Sequence, residues 1–244
     1  MVYAKRYIRI IVMAIAYNSN IPTTSMLLCA DAGNPRSYPG TGTSWYDVSG
    51  TNKIGTLTGS PTYNSGLSGS FTFNGSSQYT AFNSSSFNVT YAGKTVIAFA
   101  RANAAAWTNG VAAYKALFGS SGNRNFNLYV YRDASNIYYM HYSTGVSGAF
   151  AGTISSSLSM TTATWYMFAV TQSSGGAVNY YLNGSLVNTT TQAFSQYVST
   201  SSENIALSDN YWNGDIGICS VYGIDLSATQ ISQVYNSYRG RYGI

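Results

Sequence analysis

The closing segment Tyr211 to Ile244 constrains the fold more than any other part of the sequence. It couples an apolar run, Ile216 to Ile224, to a single amphipathic helix. Ser227 stands three residues before Gln230, the spacing at which a hydroxyl and an amide side chain each satisfy an orphaned backbone N–H at a helix start. Ile231, Val234, Tyr235 and Tyr238 follow at i, i+3, i+4 and i+7, which places them on one helical face. The preceding two hundred residues carry the marks of strands. A β-rich chain that ends in one short helix needs a sheet surface on which to lay it.

Strand-like runs recur along the chain at Ser25–Ala30, Phe71–Phe73, Thr95–Arg101, Phe126–Tyr131, Ile137–Tyr142, Trp165–Thr171, Val178–Leu182, Ile205–Leu207 and Ile216–Ile224. Most are bounded by Gly, Asn or Ser, the punctuation of antiparallel sheets. Asn183-Gly184, set between NYYL and SLV, predicts a tight hairpin because both central residues of a primed turn need positive φ. Pro35, Pro39, Gly40 and Gly42 make residues 31–50 a loop. The Ala-rich stretch 102–113 is broken by Asn109-Gly110 and reads as a loop or single turn. Residues 145–158 read as either a further strand or a long loop. No repeat and no compositional break divides the chain. The expected architecture is all-β, a jelly-roll sandwich of two antiparallel sheets with one short C-terminal helix. It occupies residues 25–244 after an N-terminal extension, 1–24.

Charge excludes one partner class. Only 8% of the 244 residues are charged, so the surface is built from Ser, Thr, Asn, Gly and Tyr. The net charge of +5 comes from Lys5, Arg6 and Arg9 at one end and Arg239 and Arg241 at the other. A nucleic-acid binder concentrates its basic residues on one face or stripe, and this pattern does not. The apolar stretch Ile8–Tyr17 is too short to span a membrane as a helix. Two readings of the extension stay open: a signal-like leader, or an upstream start misassigned before Met13. Cys29 and Cys219 lack neighbouring ligands at metal spacing and read as buried thiols rather than a disulfide.

Four blocks in order, FTFNGSSQYTAF (71–82), TWYMFAVTQS (164–173), VNYYLNGSLVNT (178–189) and NGDIGICSVYGIDLSATQISQVYN (213–236), resemble the concanavalin A-like lectin/glucanase superfamily, in particular its laminin G-like jelly-roll domains. A fifth, LLCADAGNPRSYPGTGTSWYDVSG (27–50), is similar to the opening of laminin G-like domains in tailed-bacteriophage virion proteins. This resemblance implies a virion structural protein: a capsid-decoration, tail-associated or fibre-like component in contact with other virion proteins, with copies of itself, or with surface glycans. The alternative is a free-standing or secreted carbohydrate-binding module, and a degenerate glycoside hydrolase ranks below both.

Catalysis finds no support in the residues. Glucanases of the superfamily place two Glu and one Asp at alternate positions of one strand, and retaining chemistry needs paired carboxylates. Here Glu203 is the only glutamate, and it and the six aspartates are never closer than six residues in sequence. His141 is the only histidine and has no serine elbow to serve. The expectation is a non-enzyme without a required cofactor. Asp209, Asn210, Asn213 and Asp215 form the densest oxygen set for calcium, but Asx residues more often serve turns, and calcium prefers several carboxylates. Sugar recognition needs an aromatic platform beside amide and carboxylate groups. Asp209, Asn210, Tyr211 and Trp212 are the best local match, and Trp107 beside Asn109 is the second. Trp45 and Trp165 fall in fold-defining blocks and are assigned to the core.

Overall fold

A computed structural model describes residues 21–83, 87, 91–120, 126–144, 152–194 and 202–244. The two readings of the N-terminal start, and much of the ambiguous 145–158 stretch, lie outside these described residues. In chain order the strands are β1 (Met26–Asp31), β2 (Ser44–Tyr46), β3 (Ile54–Thr58), β4 (Thr62–Asn64), β5 (Ser70–Asn74), β6 (Tyr79–Phe82), β7 (Gly93–Ala102) and β8 (Ala113–Gly119). They continue as β9 (Asn127–Arg132), β10 (Tyr138–Ser143), β11 (Gly152–Ile154), β12 (Trp165–Ser173), β13 (Ala177–Leu182), β14 (Ser185–Thr191), β15 (Glu203–Ile205) and β16 (Asn213–Tyr222). One helix, α1 (Ala228–Tyr242), follows.

The first sheet runs β14-β13-β12-β7-β16-β5-β4, with β1 also paired to β16. The second runs β11-β10-β9-β8-β15-β6-β3-β2. All pairings between these strands are antiparallel. The all-β jelly-roll sandwich with a C-terminal helix is therefore the observed fold. Asn183 and Gly184 turn the β13–β14 hairpin at φ 49° and 78°, as their sequence predicts. Residues 102–113 hold one 3-10 turn, Ala104–Ala106. The reading of 31–50 as loop throughout is corrected by β2, whose Trp45 inserts between the sheets and draws its neighbours into pairing with β3.

Alternation along β7 explains the layers. Val96, Ala98 and Ala100 point into the inter-sheet core with Phe71, Leu128 and Trp212, whereas Ile97 and Phe99 point outward to a second cluster. Ile231, Val234 and Tyr242 of α1 cover that second cluster, with Tyr235 and Tyr238 packed at its margin. The helix starts at the expected capping box: Gln230 N donates to Ser227 Oγ at 3.3 Å, and Ser227 N donates to Gln230 Oε1 at 2.9 Å. Gly217 lies where β16 changes partner from β5 to β1. A Cβ there would stand 2.2 Å from the Tyr242 hydroxyl, so only glycine lets the helix settle this close.

Arg241 fastens the helix to the first strand. Its Nη1 and Nη2 donate to Asp31 Oδ2 and Oδ1 at 2.9 and 2.5 Å, and its Nε donates to Ser68 O at 2.7 Å. The bidentate fork is the geometry in which Arg and a carboxylate bind best. Cys29 and Cys219 sit on adjacent strands but on opposite faces, one under α1 and one between the sheets. Both are free. Burial pushes the Cys29 thiol up to about 12, helped by the Asp31 charge, which leaves it unreactive at neutral pH.

A lysine and a glutamate are enclosed between the sheets. Lys94 on β7 donates from Nζ to Thr144 Oγ1 at 2.6 Å and lies 5.3 Å from the centroids of the Phe126 and Phe194 rings. Glu203 on β15 faces it from the opposite sheet, fully buried. Burial lowers Lys94 to about 7 and raises Glu203 to about 8, each partly offset by the other's charge.

Two outcomes follow from this packing. Arg241→Ala leaves the Asp31 carboxylate without its partner and lowers unfolding free energy by about 2–4 kcal/mol in urea denaturation; a loss under 0.5 kcal/mol contradicts the fastening role. Glu203 also gives the fold a pH dependence. Its folded pKa lies above the unfolded one, so its contribution is complete below about pH 4.5 and fades as pH rises towards 8. The difference in unfolding free energy between wild type and Glu203→Gln therefore moves against wild type from pH 5 to 8. A flat difference over that range rules out the raised carboxyl.

Candidate functional site

The outer face of the second sheet follows from its core. In β9, Leu128 and Val130 point into the inter-sheet cluster, so Tyr129 and Tyr131 leave on the other side. Register then sets their neighbours. Tyr139 and His141 of β10 pair with Tyr131 and Tyr129, and Tyr114 and Ala116 of β8 pair with the same two residues. The rings of Tyr114 and Tyr131 are stacked at 4.4 Å and 22°, and Tyr131 lies 5.8 Å from Tyr139. His141 and Tyr129 lie at the base, 5% and 0% exposed, with Tyr114 over the imidazole at 5.1 Å. Tyr114, Tyr131 and Tyr139 remain partly accessible. They form a short row of phenol rings across three strands.

Acidic groups flank the row. Asp133 Oδ1 accepts from Ile137 N at 2.8 Å, and Oδ2 accepts from the Tyr139 hydroxyl at 3.2 Å. At the other side the chain reverses after β15. Ala206 takes φ 68°, Leu207 bridges Tyr211, and the hairpin lies against Tyr129. Ser208 Oγ is 2.8 Å from the Tyr129 hydroxyl and donates to Ser120 O at 3.0 Å; Asn127 Nδ2 donates to Ser208 Oγ at 3.1 Å. The Tyr129 hydroxyl donates to Asp209 Oδ2 at 3.3 Å. Burial raises the Tyr114 phenol, with the Tyr131 ring adding to the effect. Tyr139 moves up as well, through desolvation first and then through Asp133. Both phenols stay protonated near neutral pH and can donate or accept one hydrogen bond at the rim.

The five residues proposed from sequence divide into two groups. Asp209 and Asn210 are exposed, and Tyr211 is half-buried with its ring 6.1 Å from Tyr79. Trp212 and Trp107 are core residues, 0% and 7% exposed. Their rings meet edge-on at 6.2 Å, and Trp107 also meets Tyr138 at 5.2 Å. The expectation that these two indoles stack on a ligand is therefore corrected. Residue 212 is where the hairpin re-enters the sandwich, and its side chain closes that end of the core. The calcium set is divided too. Arg101 Nε and Nη2 hold Asp215 Oδ2 at 2.9 and 2.7 Å, while Asp209 serves Tyr129. Among the described residues no group of three His, Cys, Asp or Glu could hold a metal ion.

Tyr114, Tyr131 and Tyr139 escape the sequence reading because tyrosine is so frequent, 23 residues in all. Their signal is the alternation in NLYVYR and YYMHYS, where aliphatic and aromatic residues take opposite faces. Burial separates the two kinds of aromatic experimentally. Trp212→Ala costs about 3–5 kcal/mol of stability, whereas Tyr131→Ala costs about 1 kcal/mol or less. Urea denaturation of the two variants measures the contrast, and equal losses contradict the assignment of faces.

The Laminin_G_3 family model, of the concanavalin A-like lectin/glucanases superfamily, matches residues 74–232, well over half of the chain. No curated protein sequence matches it. Among solved structures, the binding domain of botulinum neurotoxin DC in complex with SialylT aligns at a TM-score of 0.65 with 15% identity, covering 88% of this chain and 52% of that one. The receptor binding domain of botulinum neurotoxin C/D mosaic serotype aligns at 0.64 with 16% identity, covering 88% and 52%. Domain 4 of AbnA, a GH43 extracellular arabinanase from Geobacillus stearothermophilus, in complex with arabinotriose, aligns at 0.62 with 16% identity, covering 86% and 98%. The chain thus spans about half the length of the neurotoxin domains and nearly all of the arabinanase domain. At these identities the likeness is one of fold.

Proposed function

We propose that this chain, which belongs to the concanavalin A-like lectin/glucanase superfamily, is a non-enzymatic glycan-binding module that uses the tyrosine face of its second sheet. The observation that carries this reading is the row Tyr114, Tyr131 and Tyr139, set between Asp133 and Asp209. Sugar rings present C–H faces that pack on aromatic rings, and their hydroxyls need acceptors and donors at the edge. Tyrosine supplies large contact area with few rotatable bonds, so little entropy is lost on binding. The two similar domains solved with SialylT and with arabinotriose make saccharide recognition a use to which this fold lends itself. They favour the free-standing or secreted module over the virion protein.

The carboxylates support a role without hydrolysis. Asp31 and Asp215 are committed to Arg241 and Arg101. Asp47 accepts from the backbone N–H groups of Cys29 and Ser49, each at 2.8 Å. Glu203 is buried between the sheets. The groups that remain near the face, Asp133 and Asp209, each hold a tyrosine hydroxyl. A virion setting is the second reading. It rests on the similarity of residues 27–50 to phage virion domains, and it predicts the protein in purified particles; its absence there removes that reading.

A glycan array probed with the full chain tests the main proposal. Wild type binds at least one saccharide, and Tyr131→Ala weakens that binding roughly tenfold, the effect of losing one stacking ring worth about 1.4 kcal/mol. A hit that Tyr131→Ala and Tyr139→Ala both leave unchanged places the site elsewhere.

A further inference from the structure

Lys115 and Arg132 point into the sandwich with no acidic partner. Lys115 pairs with Val130 of the inter-sheet core, and Arg132 pairs with Ala113 and Tyr138, which pack against it. Cross-strand partners share a face, so both cations face inward as diagonal neighbours, their Cβ atoms about 7 Å apart. Arg132 is 5% exposed. Its Nη2 donates to Asn109 Oδ1 at 2.7 Å and to Asn136 Oδ1, and its guanidinium lies 5.5 Å from the centroid of the Tyr138 ring. All of these partners are neutral. Its Nε is enclosed and reaches no acceptor among the described residues, and the same holds for the indole N–H of Trp107, whose ring meets Tyr138 at 5.2 Å. Every Asp and Glu of the chain lies among the described residues, and none forms an ion pair with Arg132 or Lys115. Burial lowers the Lys115 ammonium, with no carboxylate to offset it. A buried charge is normally matched by a counterion, because its lost hydration is otherwise not recovered.

The entrance to this cluster lies between two loops, 103–112 and 133–137. Gly110 N donates to Asn136 Oδ1 at 3.0 Å and ties them together. Asn109 and Asn136 are exposed there, and so are Val111 and Ile137, at 52% and 42%. We propose that this end of the sandwich binds a carboxylate, the acid group of a uronic-acid glycan, between Arg132 and Lys115. The carboxylate follows from the two unmatched cations; the sugar that carries it rests on the glycan-binding reading above. The asparagines engage Nη2 alone, which leaves Nη1 and the Lys115 ammonium to donate to a ligand. A planar carboxylate accepts from both, and the exposed amides of Asn109 and Asn136 serve the neighbouring sugar hydroxyls. Tyr138 and Tyr139 are consecutive, one against Arg132 and the other in the outer row, so this site adjoins the tyrosine face.

A linear galacturonate trimer tests this, titrated calorimetrically against the full chain beside its methyl ester, which has the same sugars and no charge. The acid binds roughly tenfold tighter than the ester at low salt, the scale of one hydrogen bond to a charged group. High salt narrows that gap. Lys115→Gln narrows it about threefold, whereas Arg239→Gln, the same loss of charge on α1, leaves it unchanged. In NMR spectra of the same titration the Trp107 indole and Arg132 Nε–H resonances move, while the Trp165 indole, outside the first sheet, stays still. Equal binding of acid and ester, an acid preference that survives Lys115→Gln in full, or shifts that miss Trp107 and Arg132 overturn the proposal. A hexaglutamate peptide bound as tightly as the trimer overturns the sugar as its ligand. If the trimer does not bind but an array glycan does so in a Tyr131-dependent way, the carboxylate site fails and the tyrosine site stands. If the array is blank as well, both fail.

Discussion

Two-residue alternation in β9 and β10 links the interior of this protein to the surface proposed to bind glycans. Leu128, Val130, Met140 and Tyr142 are needed between the sheets, where they are 0–1% exposed. Each inward residue sends its neighbours outward, and those neighbours are Tyr129, Tyr131, Tyr139 and His141. A slip of one residue in either strand would bury the tyrosines and expose the aliphatic residues, so the core holds the register that the surface uses. The aromatic row is thus pinned by packing on its far side rather than by its own contacts alone.

The two sheets share this logic and spend their outer faces differently. Outside the first sheet, Ile97, Phe99, Met167 and Ile218 form an apolar surface that α1 covers, with Arg241 clamped to Asp31 and Tyr242 resting on Gly217. That surface is consumed by stability. Outside the second sheet no helix docks among the described residues, and the side chains there are amphipathic tyrosines that tolerate water and contact ligands equally well. The helix covers the outer face of the first sheet, and the outer face of the second is the one proposed to bind.

Much of the scaffold is legible in the residue pattern. The capping box at Ser227, the turn at Asn183-Gly184 and the long apolar runs of β7, β12 and β16 announce themselves through local rules. Shorter strands such as β2 and β6 do not, and β15 is read two residues late, because a three- or four-residue strand takes its conformation from its partners. The proposed binding face is only half legible. Asp209, Asn210 and Tyr211 form a contiguous polar and aromatic motif that the hairpin presents to solvent. Trp212 is indistinguishable from them in sequence, yet the return of the chain at Ala206 turns its indole inward. Tyr114, Tyr131 and Tyr139 come from three strands and meet only through register, so no local window contains them.

The central claim is that ligands meet the protein on the tyrosine face. NMR titration of the full chain with a saccharide drawn from the array reads this directly through the aromatic ring protons and backbone amides. The account predicts shifts concentrated at Tyr114, Tyr131 and Tyr139, with smaller ones at Asp133, Asp209 and Asn210, while Ile231, Val234 and Tyr242 stay unmoved. Shifts centred on α1 or on β13 and β14, with the tyrosine row silent, contradict it.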